Sequence, residues 1–136
     1  MSNFGAFTRD YAAVERQVLI FGNDSLAITP LVREQIAALV RLFEPDSDVV
    51  SVIGCSHGNT ALANGNKLLA IGRARRIREA LVDAGVPLLR IHDEGCWAGV
   101  HFDEMMPRRG VVMELKRRQP SGVPMEPATV ASGAAS

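Results

Sequence analysis

The sequence has no surplus of charge of either sign: 15 Lys and Arg balance 15 Asp and Glu over 136 residues. A dedicated nucleic-acid binder needs a basic excess to neutralise phosphates. Attachment to an anionic lipid surface needs the same excess, so neither partner is expected. No apolar run approaches the ~20 residues that span a bilayer as a helix. The first 17 residues carry Arg9, Asp10, Glu15 and Arg16 and lack the apolar segment of a secretory signal. The chain is then either cytosolic or read without its targeting segment. Cysteine is scarce: Cys55 and Cys96 stand alone, too few for a disulfide scaffold and not at the spacing of a CxxC metal or redox motif. No internal repeat, metal motif or cofactor motif is seen.

What is present suffices for one domain. Hydrophobic residues make up 47% of the chain, enough for a real core. Residues 1–16 are weakly patterned and read as a flexible lead-in, with a helical turn from Tyr11 to Arg16. Gln17 to Phe21 is a short apolar run closed by Gly22-Asn23-Asp24, the pattern of a strand and a turn. Thr29-Pro30 is a helix start, since threonine caps and proline fits the first helical position. Val32, Ile36, Leu39, Val40 and Phe43 follow at helical spacing until Glu44-Pro45 stops them.

Val49 to Ile53 is β-branched and predicts a buried second strand. Cys55 to Gly65 reads as a loop. A long helix is expected over Asn66 to Ala84, with a core stripe of Ala70, Ala74, Ile77, Leu81 and Ala84 and a stop at Gly85. Pro87 to His92 predicts a third strand, Asp93 to Arg108 a loop, and Val111 to Leu115 a fourth strand. Residues 119–136, rich in Pro, Ser, Gly and Ala, bury too little apolar surface to offset chain entropy and read as a disordered tail. The fold class is therefore α/β (α+β): a β-α-β-α-β-β two-layer sandwich over residues 17–118, with a mixed sheet and helices on one face.

One constellation carries a functional signal. A strand ends in Gly54-Cys55-Ser56-His57, and a helix begins Asn66-Lys67-Leu68-Leu69-Ala70-Ile71-Gly72-Arg73-Ala74. Upstream stands Phe21-Gly22-Asn23-Asp24-Ser25; downstream come Arg90-Ile91, Gly95 and Arg108-Arg109. In order and spacing these pieces resemble the OmpA-like C-terminal family of peptidoglycan-binding domains over about residues 17–118. Asn66, Leu69, Arg73 and Ala74 fall in register with that family's helix motif.

The resemblance implies a noncatalytic domain that grips the diaminopimelate residue of a peptidoglycan stem peptide and anchors an envelope complex in the periplasm. It implies a site of Arg73, Asn66, His57, Ser56, Gly58, Leu69, Phe21, Asn23 and Arg109. Arginine suits the ligand's carboxylate because its planar fork gives paired, charge-assisted bonds. The family's aspartate, which accepts from the ligand ammonium, is replaced here by His57 or Gly58. Neutral histidine supplies no negative charge, and Asp24, Asp93 or Glu94 are the neighbouring acids able to compensate. The alternative reading is a degenerate copy that no longer binds cell wall and serves as a protein assembly module in a secretion, pilus or motility apparatus.

In the family the second and third strands are parallel neighbours. The resemblance therefore brings Cys55 and Cys96 close, either as a disulfide in an oxidising compartment or as two buried thiols. Plainer readings stand beside these: Arg73 as a solvated helix arginine, His57 as a surface loop residue, Phe21 as a core edge and Asn66 as a helix starter. A third class, a Cys-His hydrolase built on Cys55 and His57, lacks an orienting acid in the sequence.

Overall fold

The computed structural model describes residues 10–58, 60, 65–97 and 106–119. The chain runs β1 (Tyr11–Ile20), α1 (Pro30–Leu42), β2 (Asp48–Ser56), α2 (Gly65–Asp83), a 3-10 turn (Leu88–Arg90), β3 (Ile91–Trp97) and β4 (Arg109–Arg118). The four strands form one sheet in the order β1-β4-β2-β3. β4 is antiparallel to both β1 and β2, whereas β2 and β3 are parallel. A parallel pair needs a long crossover, and α2 supplies it. The fold is the two-layer, mixed-sheet α+β arrangement that the sequence predicts.

Both helices lie on one face of the sheet. Leu19 of β1, Val50 and Val52 of β2 and Val111, Met113 and Leu115 of β4 join one core cluster with the buried faces of the helices. Side chains alternate between faces along a strand, so Val49, Ser51 and Cys55 of β2 point to the opposite face, where they are also buried.

α1 starts as its sequence requires. The Thr29 hydroxyl accepts from the Val32 amide at 3.2 Å, with Pro30 in the first turn. α2 buries Leu69, Ala70, Arg73, Ala74, Ile77 and Leu81. Ala84, expected on that stripe, is exposed because the helix ends at Asp83. Gly85 follows at φ 108°, and the Val86 amide reaches back to the Leu81 carbonyl at 3.0 Å, a glycine-terminated cap.

One glycine sets how near α2 comes to the sheet. A Cβ on Gly54 would collide with the Ala70 carbonyl and stand 2.7 Å from the Ala74 amide nitrogen. Only a bare backbone permits this approach, and it brings the next inward side chain, Arg73, over the end of β2.

Three expectations need correction. Tyr11 to Arg16 is not a helical turn but the first half of β1, paired with Arg118 to Glu114 through a bulge between Ala13 and Glu15. Of the expected strand Pro87 to His92, only Ile91 and His92 are strand: Leu88 and Leu89 are exposed at 57% and 95%, and the Arg90 amide closes a turn on the Pro87 carbonyl. The third strand instead begins at Ile91 and runs through Asp93, Glu94 and Gly95, residues with poor strand propensity that the sequence assigns to a loop. Pairing with β2 overrides local preference there. Residues 1–9 of the lead-in, residues 98–105 of the long loop and residues 120–136 of the tail lie outside the described residues.

Candidate functional site

The ends of β1 and β2 and the first turns of α2 meet at one pole of the sheet, and Arg73 is the centre of that meeting. Its side chain is completely buried. Nε donates to the Ser25 carbonyl, Nη1 to the Cys55 carbonyl and Nη2 to the Gly22 carbonyl, each at 3.0 Å. The guanidinium carbon also sits 5.5 Å from the centroid of the buried Phe21 ring, a cation–π distance. One side chain thereby ties the β1–α1 loop, the end of β2 and α2 together. Burial lowers the Arg73 pKa and Arg109 adds to this, while Asp24 and Cys55 oppose it. An arginine stays charged under any such pull. The three acceptors are neutral carbonyls, and each terminal nitrogen has a further N–H in the arginine donor inventory.

Asp24 lies in the loop that Arg73 clasps, between the two carbonyls of Gly22 and Ser25. It adopts a left-handed backbone, φ 52°, which aspartate tolerates better than most residues. Its carboxylate accepts from the Thr60 hydroxyl at 2.7 Å, joining the β1–α1 loop to the β2–α2 loop. Beside it, the Ser56 hydroxyl donates to Asn66 Oδ1 at 2.8 Å, and Asn66 Nδ2 donates to the Gly58 carbonyl at 2.9 Å. Gly58 has φ 97°, a left-handed turn that suits glycine. Asn66 therefore pins the loop leaving β2 to the start of α2.

His57 does not join this group. Its amide donates to the Arg108 carbonyl at 2.9 Å, extending the β2–β4 ladder by one residue. By alternation its ring falls on the face away from the helices. There Nε2 lies 3.6 Å from Cys96 Sγ, and both residues are buried. Burial and the Arg108 charge hold the imidazole below its ordinary range.

Cys55 and Cys96 face each other across β2 and β3 in direct register, as the resemblance implies. Both are free thiols, however, and the candidate disulfide is not formed. Burial pushes the Cys55 thiol well up, with Cys96 adding to the shift. A thiol whose pKa is raised by burial, as at Cys55, is the opposite of an activated nucleophile.

The remaining residues divide in the same way. Phe21 and Leu69 are buried packing residues. Asn23 and Arg109 are exposed at the rim of the pole. Asp93 faces the helix side but is taken by Arg78, at 3.2 and 3.3 Å from its two oxygens. Glu94 alternates to the other face. Of the three candidate compensating acids, only Asp24 stands by Arg73. The Cys96–His57 contact, the Thr60–Asp24 bond and the backbone acceptors of Arg73 are absent from the sequence reading. The only hint was the repeated Gly-Cys at both strand ends, Gly54-Cys55 and Gly95-Cys96.

This arrangement of mixed sheet and helices is shared with OmpA-like domains of known structure. The OmpA-like domain of FopA1 from Francisella tularensis superposes with a TM-score of 0.60 at 17% identity, over 80% of this chain and 75% of that one. The periplasmic domain of Helicobacter pylori MotB gives 0.57 at 18% identity, over 77% and 83%. The peptidoglycan-associated lipoprotein of Burkholderia pseudomallei gives 0.59 at 15% identity, over 74% and 90%. The chain has the OmpA-like fold. No protein-family model matches the sequence, and no curated protein matches it.

Proposed function

We propose that this chain is a noncatalytic cell-envelope domain that binds the diaminopimelate stem peptide of peptidoglycan and anchors an envelope complex in the periplasm. The observation that carries this reading is the charge couple at the pole of the sheet: Arg73, held by three backbone carbonyls, with Asp24 in the loop wrapped around it. A buried guanidinium whose bonded acceptors are all neutral favours an incoming carboxylate, because a desolvated charge gains most from an opposite one. Ser56, Asn66, Gly58 and Thr60 supply the polar lining, and Arg109 and Asn23 the rim. The fold shared with a periplasmic domain and with a peptidoglycan-associated lipoprotein supports the same reading.

The test is co-sedimentation of the purified chain with peptidoglycan sacculi. Retention is expected, with soluble stem peptide competing it off. Asn66→Ala, which unpins the loop leaving β2, weakens retention several-fold without unfolding the chain. Failure of the folded wild-type chain to sediment with sacculi would sink the reading.

The complete burial of Arg73 favours a second reading. In it the arginine is only a brace, and the domain is an assembly module that has lost cell-wall binding. A folded chain that sacculi do not retain selects this alternative.

A further inference from the structure

We infer that Trp97 is the platform of a sugar subsite beside the pole, on which the ring of an N-acetylated amino sugar stacks. This rests on the peptidoglycan reading above and adds to it a carbohydrate contact on β3, a strand that contributes none of the residues named there for the stem peptide.

The case begins with position. β1 and β3 are the two edges of the sheet, so Trp97, the last residue of β3, flanks the pole on the side away from the β1–α1 loop. It stands in direct register with Ser56, whose hydroxyl is bonded to Asn66. Neighbouring strands lie about 4.8 Å apart. Trp97 therefore begins where the polar lining of Ser56 and Asn66 ends.

The second argument is how the ring is held. Gly95, two residues back on the same face of β3, leaves a notch: a Cβ there would stand 2.8 Å from Trp97 Cζ3 and 3.2 Å from Ile71 Cγ1. The indole lies back over that notch, with Ile71 of α2 at its side. The ring is thus placed before a ligand arrives, and a pre-ordered flat surface loses little freedom on binding. It is not sunk in the core: Trp97 is only partly buried, whereas Cys96 beside it is fully buried.

The third argument is charge. Lys67 follows Asn66 in the first turn of α2 and is exposed, and its ammonium stands 5.8 Å from the centroid of the Trp97 ring. The face of an aromatic ring is electron-rich, so it attracts a cation. The weakly positive C–H face of a sugar ring is attracted for the same reason. The flexible lysine stem lets the ammonium leave the ring and donate to a hydroxyl or acetamide oxygen. An aliphatic ligand would use the indole and leave the ammonium without an acceptor. A small anion would use the ammonium and not the indole. A sugar uses both, and a stem peptide hangs from an amino sugar, so one molecule fills the pole and the platform.

The test exploits the fact that Trp97 is the single tryptophan of the chain, so its fluorescence reports this subsite directly. The full chain is titrated with diaminopimelate-containing stem peptide, with the same peptide still carrying its disaccharide, and with a soluble tetramer of N-acetylglucosamine. The wild type is expected to prefer the disaccharide form by roughly three- to tenfold, the size of one aromatic contact, and the tetramer is expected to change the Trp97 emission saturably. Trp97→Leu keeps an apolar side chain over Gly95 but no π face, and it is expected to bind the two peptides alike, with calorimetry as its readout. Trp97→Phe should keep part of the preference. If the wild type binds both peptides equally, or if a folded Trp97→Leu chain keeps the wild-type preference, the subsite is overturned while the stem-peptide reading stands. If the tetramer moves the emission but bare stem peptide does not bind, the subsite stands and the stem-peptide reading falls. If the folded wild type binds none of the three, both fall.

Discussion

Cys96 and His57 meet on the face of the sheet away from the helices, sulfur to Nε2 at 3.6 Å, 39 residues apart in the chain. The contact matters because of what it removes. A histidine that the resemblance places in the binding site is instead packed against a thiol on the far side of β2, on the other face from Arg73. It also bears on the thiol chemistry. Cys55 and Cys96 are buried side by side as free thiols, and burial raises the Cys55 pKa.

Thiol accessibility checks this directly. In the native chain at pH 8, neither cysteine is expected to react with a disulfide reagent such as dithionitrobenzoate. In urea without reductant, both react, giving two thiols per chain. Fewer than two thiols in the unfolded chain would establish the disulfide that the structure does not contain.

Arg73 is the second test. Each bond from a charged donor is worth about 1.5–3 kcal/mol, and a buried carbonyl left unpaired is costly. Arg73→Ala strands three carbonyls and is expected to lower unfolding free energy by about 3 kcal/mol or more. Arg73→Lys should cost nearly as much, since one ammonium cannot reach three acceptors held by a planar fork. Equilibrium urea denaturation gives the number. A loss under about 0.5 kcal/mol, the size of an ordinary surface change, would show that Arg73 does not brace the pole.

Two glycines separate packing from backbone strain. Gly54→Ala drives a methyl into the Ala70 carbonyl and close to the Ala74 amide, so α2 must move off the sheet at a cost of about 1–3 kcal/mol or more. A Cβ on Gly85 meets nothing within 4 Å, but its φ of 108° disfavours any L side chain. Gly85→Ala should therefore cost about 1–2 kcal/mol through the backbone alone. Thermal melts rank the two, and only Gly54→Ala should also weaken sacculus retention, because it alone displaces Arg73.

Acid should destabilise the chain in two steps. Burial of Asp48 would raise its pKa, but bonds from Arg117, the Glu44 amide and the Ser47 hydroxyl outweigh this and hold it below its ordinary 3.8. A carboxyl depressed in the native state stabilises above its unfolded pKa, and that contribution is lost as pH falls through the native value. His57 is a base held below its ordinary 6.5, chiefly by burial. The unfolded chain protonates there first, so stability begins to fall as pH drops through 6.5 toward the native value. His57→Gln should flatten the upper step and Asp48→Asn the lower one in denaturation midpoints measured from pH 8 to 3. An unchanged upper step in His57→Gln would contradict the buried neutral imidazole.

The sequence by itself determined the elements whose signals are local. The Thr29-Pro30 start, the Ala70-Ala74-Ile77-Leu81 stripe and the β-branched run of β2 each carry a periodicity or cap that holds before any tertiary contact forms. Asn66 and Arg73, seven residues apart on one helix, were legible as one face for the same reason. Tertiary structure decided whatever depends on pairing across the sheet. Asp93, Glu94 and Gly95 became strand because β2 needed a parallel neighbour, and Tyr11 to Arg16 became strand because β4 was long enough to pair with them. Backbone carbonyls carry no sequence signature, so nothing in the chain announced that Arg73 would be consumed by Gly22, Ser25 and Cys55. Alternation along β2 placed Ser56 on the helix side against Asn66 and His57 on the far side against Cys96, a one-residue step that register alone sets. Cys55 and Cys96 follow the same division: their meeting was legible once the strands were matched, but their state as free thiols was not.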